Sequence, residues 1–387
     1  MLIILSGGGT GGSVAPLLAI AQEISATSPL RGVRGSAREQ SETSGKKQYA
    51  NSALQTRTSE CEFLFIGTKK GIPEKELVAM ASIPYQAIFS GKLRRYFDWQ
   101  NFLAPIFILL GFLQSIFVVK KNKPAAIISC GGFVAVPLIW AGWLFKVPIF
   151  IHQQDIIPGL ANKLMAPFAK KITVSFEKNL NDYPADKTIL TGNPFRAEIL
   201  NGNKKGAAQK FQLEENLPTL LVLGGGTGAQ KINELIFALA PKLTKFCQII
   251  HLIGRGRRLT INNQQSTISR YHPYEFLAQE MPDVFAAADL VISRAGMGVL
   301  TELSVLGKPA VIIPMPDSHQ EINAQYFADK KAVILLNEKQ ITPDNLLEQI
   351  RELIFSVDKR SVLSLNISKL SAPDAAQKIA KIILENI

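Results

Sequence analysis

Histidine and cysteine are scarce in this chain, four and three among 387 residues. Cys61, Cys130 and Cys247 are widely spaced and odd in number, which leaves neither a zinc pattern nor a disulfide framework and points to a reducing cytosol. Long unbroken apolar runs are missing too. The start, MLIIL, runs into glycines, too short for a signal-peptide core and without a cleavage site. Residues 103–119 contain Pro105, Gln114 and Ser115, and 132–151 are split by Pro137, Lys146 and Pro148. Neither is a clean membrane span; they read as a buried helix followed by a helix–strand pair. There is no GxxxxGK[ST] loop, no Asp-x-Asp pair and no cluster of His and Cys ligands, so neither a metal nor another cofactor is expected. Nothing resembles an element that enters a groove or stacks bases, and no nucleic-acid partner is expected.

Acid is the scarcer charge, and unevenly so. Residues 1–200 carry 22 Lys+Arg against 13 Asp+Glu, whereas 201–387 carry 21 against 18. Within 91–171 the acids are only Asp98 and Asp155, beside a basic set that includes Lys92, Arg94, Arg95, Lys120, Lys121 and Lys123. Basic charge next to exposed aromatics (Trp99, Phe102, Phe107, Trp143) is how a protein sits on an anionic membrane surface, so peripheral attachment to the cytoplasmic face of the cell membrane is expected.

With 47% hydrophobic residues the chain can bury two cores. Apolar strand-length runs alternate with helix-length stretches through both halves, from LIIL (2–5) to ITVS (172–175) and from TLLVL (219–223) to AVILL (332–336). Continuous apolar strands separated by helices imply parallel sheets covered on both faces, so each half reads as a doubly wound α/β domain. The expected division is 1–195, 196–365 and a C-terminal helix in 366–387 that packs back on the first domain. Residues 31–60 are polar and Gly/Ser-rich, and read as a flexible surface insertion.

The motifs lie at strand ends. Gly7 to Gly11 spell GGGTG, and so do Gly224 to Gly228; each cluster follows an apolar strand and precedes a helix. Such a unit offers backbone N–H groups and a helix N-terminus to a phosphate. Structural tight turns would explain either loop alone; two matched loops favour phosphate-bearing ligands. A dinucleotide site also needs an acid after the second strand, and GTKKG and IGRG supply none. A third glycine turn opens SRAGMGVLTELSVLGKP (293–309), whose Glu302 reads either as a solvated helix residue or as a carboxylate for a ribose diol. His319, Gln320 and Asn323 open another helix, as caps or as sugar ligands. Arg196, in TGNPFR, has a fork suited to a diphosphate, which arginine and helix ends would then neutralise without an obligatory metal.

GGGTGG, ISCGGFVAVP (128–137), HQQDIIPGLANK (152–163), GNPFR, LGGGTGAQKIN, SRAGMGVLTELSVLGKP and HQEINA together resemble one family, the MurG N-acetylglucosaminyltransferases of peptidoglycan synthesis. The resemblance implies a GT-B architecture, two Rossmann-like domains facing across a cleft. It implies inverting transfer of GlcNAc from UDP-GlcNAc to the MurNAc 4-hydroxyl of undecaprenyl-diphosphate-MurNAc-pentapeptide. Carried over by motif, the UDP-GlcNAc site comprises Thr10, Gly11, Gly12, Asp155, Arg196, Gly226, Ala278 (with Leu277 in the uracil-reading loop), Met297, Gly298, Val299, Leu300, Thr301, Glu302 and Gln320. Two departures stand out: Ser13 replaces the histidine that is the family's candidate base, and Gly226 replaces a serine. Asp155 stands where some members have Asn, and is the best-placed alternative base by motif. A glycosyltransferase for another lipid, a nucleotide-sugar epimerase, or a non-catalytic nucleotide-sugar-binding relative remain the competing readings.

Overall fold

TLLVL and QIIHL are buried at every position in a computed structural model, as strands covered on both faces must be. The structure describes residues 1–8, 11–27, 61–69, 71, 74–91, 100–225, 228–256 and 268–387. Thr10, Gly226, Trp99, Lys92–Arg95, the side chain of Phe102 and the 31–60 segment lie outside the described residues.

The first half runs β1 (Leu2–Ser6), α1 (Val14–Thr27), β2 (Glu62–Thr68), α2 (Glu74–Met80), β3 (Tyr85–Ile88), α3 (Gln100–Asn122), β4 (Ala126–Ser129), α4 (Ala135–Leu144), β5 (Ile149–Gln153), α5 (Leu160–Met165), β6 (Lys171–Val174) and β7 (Thr188–Leu190). All seven strands are parallel, in the order β3-β2-β1-β4-β5-β6-β7. The second half runs α6 (Lys204–Lys210), β8 (Thr219–Leu223), α7 (Gln230–Leu243), β9 (Gln248–Leu252), β10 (Tyr271–Tyr274), α8 (Met281–Ala287), β11 (Leu290–Ser293), α9 (Met297–Leu306), β12 (Ala310–Ile312), α10 (His319–Asp329), β13 (Ile334–Leu335), α11 (Pro343–Phe355), α12 (Val357–Ser368) and α13 (Ala375–Leu384). Its strands are also parallel, in the order β10-β9-β8-β11-β12-β13.

Each sheet has an apolar layer on either face. Ile3, Leu5 and Phe65 pack with Leu17, Ile20 and Ile24 of α1, and Ile379, Ala380 and Ile383 of α13 complete that layer. The chain's end is tied there by Lys170 Nζ, which donates to the Asn386 carbonyl at 2.6 Å. The two halves also share a core. Ile156, Phe176 and Phe195 from the first half insert among Phe285, Leu300 and Phe327 of the second. Phe176 meets Tyr326 edge-on with ring centroids 5.0 Å apart.

Two sequence expectations are corrected. The α3 helix is not a buried core helix: Ile106, Phe107, Leu109, Leu110, Leu113 and Phe117 are exposed, while Ser115, Val118 and Val119 face inward against α4. The AVILL run forms a strand only at Ile334–Leu335.

Candidate functional site

In each sheet the strand order reverses at one place, between β1 and β4 and between β8 and β11. Loops leaving the carboxyl ends of such a pair open a crevice where ligands bind in folds of this kind. The glycine motifs are these loops. GGGTGG follows β1, CGGF follows β4, GGGTG follows β8, and the Arg294–Met297 turn follows β11.

On the first side the two loops touch. Gly132 has φ +94°, and a Cβ there would lie 2.6 Å from the Gly8 carbonyl oxygen, so only glycine fits. Gln154 Nε2 braces this loop by donating to the Cys130 carbonyl at 3.1 Å. The 3-10 turn Gly11–Ser13 opens α1 and lies against α9 of the other half. Ser13 is buried, and its hydroxyl sits over Gly7, 3.2 Å from where a Cβ would stand. On the second side, a Cβ on Gly224 would meet the Ala229 nitrogen at 2.5 Å, which forces glycine into this strand-to-helix turn. The N-cap of α9 is Gly296, so no side chain satisfies the helix's first N–H groups. A Cβ on Gly296 or Gly298 would meet nothing within 4 Å, so the turn opens on free space.

The carboxyl ends of the two sheets face each other, and side chains cross between them. Arg196, in the segment after β7, donates from Nη2 to Glu302 Oε1 on α9 at 2.9 Å. One helical residue earlier, Asn193 Nδ2 donates to the Thr301 hydroxyl at 2.7 Å, and that hydroxyl donates to the Met297 carbonyl at 2.8 Å. Behind Asn193 stands His152, 2.9 Å from Asn193 Oδ1 through Nε2 and 2.9 Å from Thr173 Oγ1 through Nδ1. Burial pushes the His152 imidazole down to about 4, so at neutral pH it is uncharged. Asn193 Oδ1 can only accept, which puts the single ring proton on Nε2 and makes Nδ1 the acceptor of the Thr173 hydroxyl. Asp155 Oδ1 accepts from Asn323 Nδ2 of α10 at 2.9 Å, and the Ile156 amide donates to Asn323 Oδ1 at 3.2 Å. The backbone under Asp155 is fixed by Gln153 Nε2, which donates to the carbonyls of Asp155 and Ile157. At the far side Arg255, after β9, pairs with Glu76 of α2 and lies over the Phe276 ring.

Of the residues read from the sequence, Gly11, Gly12, Ser13, Asp155, Arg196 and Met297–Glu302 thus fall where the two halves meet. Gln320 and Ala278 make local bonds: Gln320 Oε1 accepts from the Met315 amide at 3.1 Å, and the Ala278 amide donates to Glu280 at 3.3 Å. His152 and Asn193 sit inside the HQQDIIPGLANK and GNPFR motifs, where residue type alone gives neither a role. Asn323, read as a cap or a sugar ligand, is fully buried and bonds across the interface. A polar side chain with no exposure signals such a role, but the sequence shows only its neighbours' helical spacing.

Comparison with known proteins supplies the next observations. Residues 50–174 match the glycosyltransferase family 28 N-terminal domain, and residues 219–379 match the family's C-terminal domain. A UDP-N-acetylglucosamine–N-acetylmuramyl-(pentapeptide) pyrophosphoryl-undecaprenol N-acetylglucosamine transferase of Clostridium kluyveri is 34% identical over 386 residues, covering 98% of each chain. Among solved structures, Acinetobacter baumannii MurG superposes with a TM-score of 0.68 at 22% identity, covering 99% of each chain. A UDP-GlcNAc 2-epimerase from Neisseria meningitidis, bound to UDP-GlcNAc, gives 0.66 at 15% identity over 100% of each chain. These two structural likenesses speak to the fold alone.

Proposed function

The chain belongs to glycosyltransferase family 28, among its UDP-N-acetylglucosamine–N-acetylmuramyl-(pentapeptide) pyrophosphoryl-undecaprenol N-acetylglucosamine transferases, and from that premise we propose how its residues divide the work. It is a GT-B enzyme of peptidoglycan synthesis that moves GlcNAc from UDP-GlcNAc to undecaprenyl-diphosphate-MurNAc-pentapeptide. The acceptor atom is the MurNAc 4-hydroxyl, and the anomeric centre inverts. The domains divide as 1–195 and 196–365, with 366–387 returning to the first.

The observation that carries the site assignment is the opening of α9: a helix start without a side-chain cap, facing free space, with Glu302 held by Arg196 beside it. A diphosphate suits the uncapped N–H groups, and a carboxylate suits the ribose diol. Arg196 keeps Nη1 free of protein partners among the described residues, so it can reach a phosphate while holding Glu302. The rest of the donor site is Thr10, Gly11, Gly12, Asp155, Gly226, Ala278, Met297–Thr301 and Gln320. The loops after β1 and β4 face the acceptor diphosphate and also border the donor sugar, and Asp155 is the candidate base that draws the proton from the 4-hydroxyl. Incubation of the protein with labelled UDP-GlcNAc and a short-chain lipid acceptor tests the reading by the appearance of the disaccharide. Release of free GlcNAc or ManNAc alone would contradict it.

The acceptor's chain stays in a bilayer, so the enzyme must meet it at a surface. The exposed apolar stripe of α3, together with Trp143, Leu144 and Phe145, supports attachment through the first domain. Lys120, Lys123 and Lys146 line a hollow of about 310 Å³ next to Phe145, a fitting place for anionic headgroups. By length and composition α3 could also cross a membrane. Its inward packing on α4 and its place beside β3 favour surface contact instead.

A further inference from the structure

In the donor assignment Glu302 meets the ribose, and Arg196, which pairs with it, meets the diphosphate. The geometry joins them. Glu302 is 13% exposed and Arg196 27% exposed, and among the described residues Glu302 pairs with no other cation. Its helical neighbour Thr301 is already committed to Asn193 and to the Met297 carbonyl. Nothing else among the described hydrogen bonds fixes the plane of the Glu302 carboxylate. Recognition of a ribose diol needs that plane, because both hydroxyls must find oxygen lone pairs at once. A charge-assisted N–H bond to Oε1 sets it and leaves the remaining lone pairs open. Arg196 is itself placed by its segment, which is anchored by Asn193 and by Phe195 in the shared core.

We propose that Arg196 is a positioning residue for the donor's ribose: its guanidinium orients Glu302, so recognition of the uridine half, which carries no phosphate, depends on Arg196. The inference rests on the assignment of Glu302 to the ribose. A guanidinium that only clamped the diphosphate would leave uridine affinity untouched.

The test is calorimetry of uridine and UDP with the full chain and its Arg196→Ala, Arg196→Lys, Glu302→Ala and doubly substituted Arg196→Ala/Glu302→Ala variants, each checked for a parental melting curve. Expected is a loss of about tenfold in uridine affinity for Glu302→Ala and about three- to tenfold for Arg196→Ala. The double variant should lose no more than the worse single one. Arg196→Lys, with a point charge in place of a planar fork, should recover less than half of the loss. Added methylguanidinium should restore uridine binding to Arg196→Ala but not to the double variant. A parental uridine affinity in Arg196→Ala, or losses that multiply in the double variant, would overturn the proposal. If Glu302→Ala bound uridine and UDP normally, the ribose assignment itself would fall, and the proposal with it.

Discussion

Replacing Asn323 with alanine should loosen the joint between the two halves without unfolding either. Asn323 is fully buried and serves three groups: it donates to Asp155 Oδ1 and to the Ala295 carbonyl, and it accepts from the Ile156 amide. A hydrogen bond to a charged group contributes about 1.5–3 kcal/mol, and a buried N–H left without a partner costs about 1–3 kcal/mol. The Ala295 carbonyl adds little, since a carbonyl tolerates partial satisfaction better than an amide. The total is about 3–5 kcal/mol, and it falls on the 154–157 loop against α10 instead of on a sheet. At about 1.4 kcal/mol per decade, local opening of that loop should become about a hundred- to several thousandfold more frequent. Hydrogen exchange of a peptide covering 153–158 reads this directly, through the Ile156 amide. The KM for UDP-GlcNAc should rise with it, while exchange in β1 and β8 stays at parental rates. Asn323→Asp sets two carboxylates against each other and should fail similarly at neutral pH, but recover on acidification, when one shared proton restores the bond. Parental exchange at 153–158 in Asn323→Ala would show that the crossing bonds do not hold the loop.

Three further outcomes are expected. Leu109→Ser/Leu113→Ser/Phe117→Ser on α3, or Lys120→Ala/Lys123→Ala/Lys146→Ala, should reduce sedimentation with anionic vesicles, and salt should weaken binding of the parent; binding indifferent to both lipid charge and salt would refute attachment by this face. His152 and His251 are held by burial at about 4 and about 3, below the unfolded value near 6.5, so the unfolded chain binds more protons between those limits. Their contribution is complete above about pH 6.5 and is lost as pH falls, and His152→Gln should shrink the stability difference between pH 7 and pH 5 by about 2 kcal/mol in denaturant titrations. Asp155→Asn keeps an oxygen for Asn323 but removes the proposed base, so kcat should fall by more than about tenfold while KM for UDP-GlcNAc holds; Ser13→Ala should cost less than about tenfold. A thousandfold loss of turnover in Ser13→Ala with normal donor binding would reverse that assignment.

Strands with a continuous apolar signal were legible in the sequence, and so were the helices that follow the glycine loops. The unread elements lie where that signal fades. At an edge of its sheet, β10 is spelled YHPY, and Pro273 argues against a strand. The β7 strand has three residues and also lies at an edge. The α6 helix, KKGAAQK, looks like a polar linker because its buried contact is a single alanine, yet it packs on α8. The exposure of α3 was missed for the opposite reason: an apolar helix reads as core unless something outside the chain covers it. At the site, glycines and charged residues gave themselves away by type. His152, Asn193 and Asn323 did not, because their task is to bond with one another's surroundings across 41 to 168 positions of sequence.

Those long-range bonds have a mechanistic logic. Under the proposed assignment most donor residues follow the second sheet and the acceptor loops follow the first, so the distance from the 4-hydroxyl to the anomeric carbon is set by how the halves dock, and a misplacement of about 1 Å can cost about a hundredfold in rate. Four crossing bonds end on α9 or α10, the helices of the second half, and begin in the loops that follow β5 and β7. Three of them use residues proposed for the donor site: Thr301, Glu302 and Asp155. A ligand that binds Glu302 therefore acts on a residue already committed to the docked arrangement, and whatever tightens one must tighten the other. Donor recognition and placement of the acceptor crevice are in this way one equilibrium, reached through side chains that lie far apart in the chain.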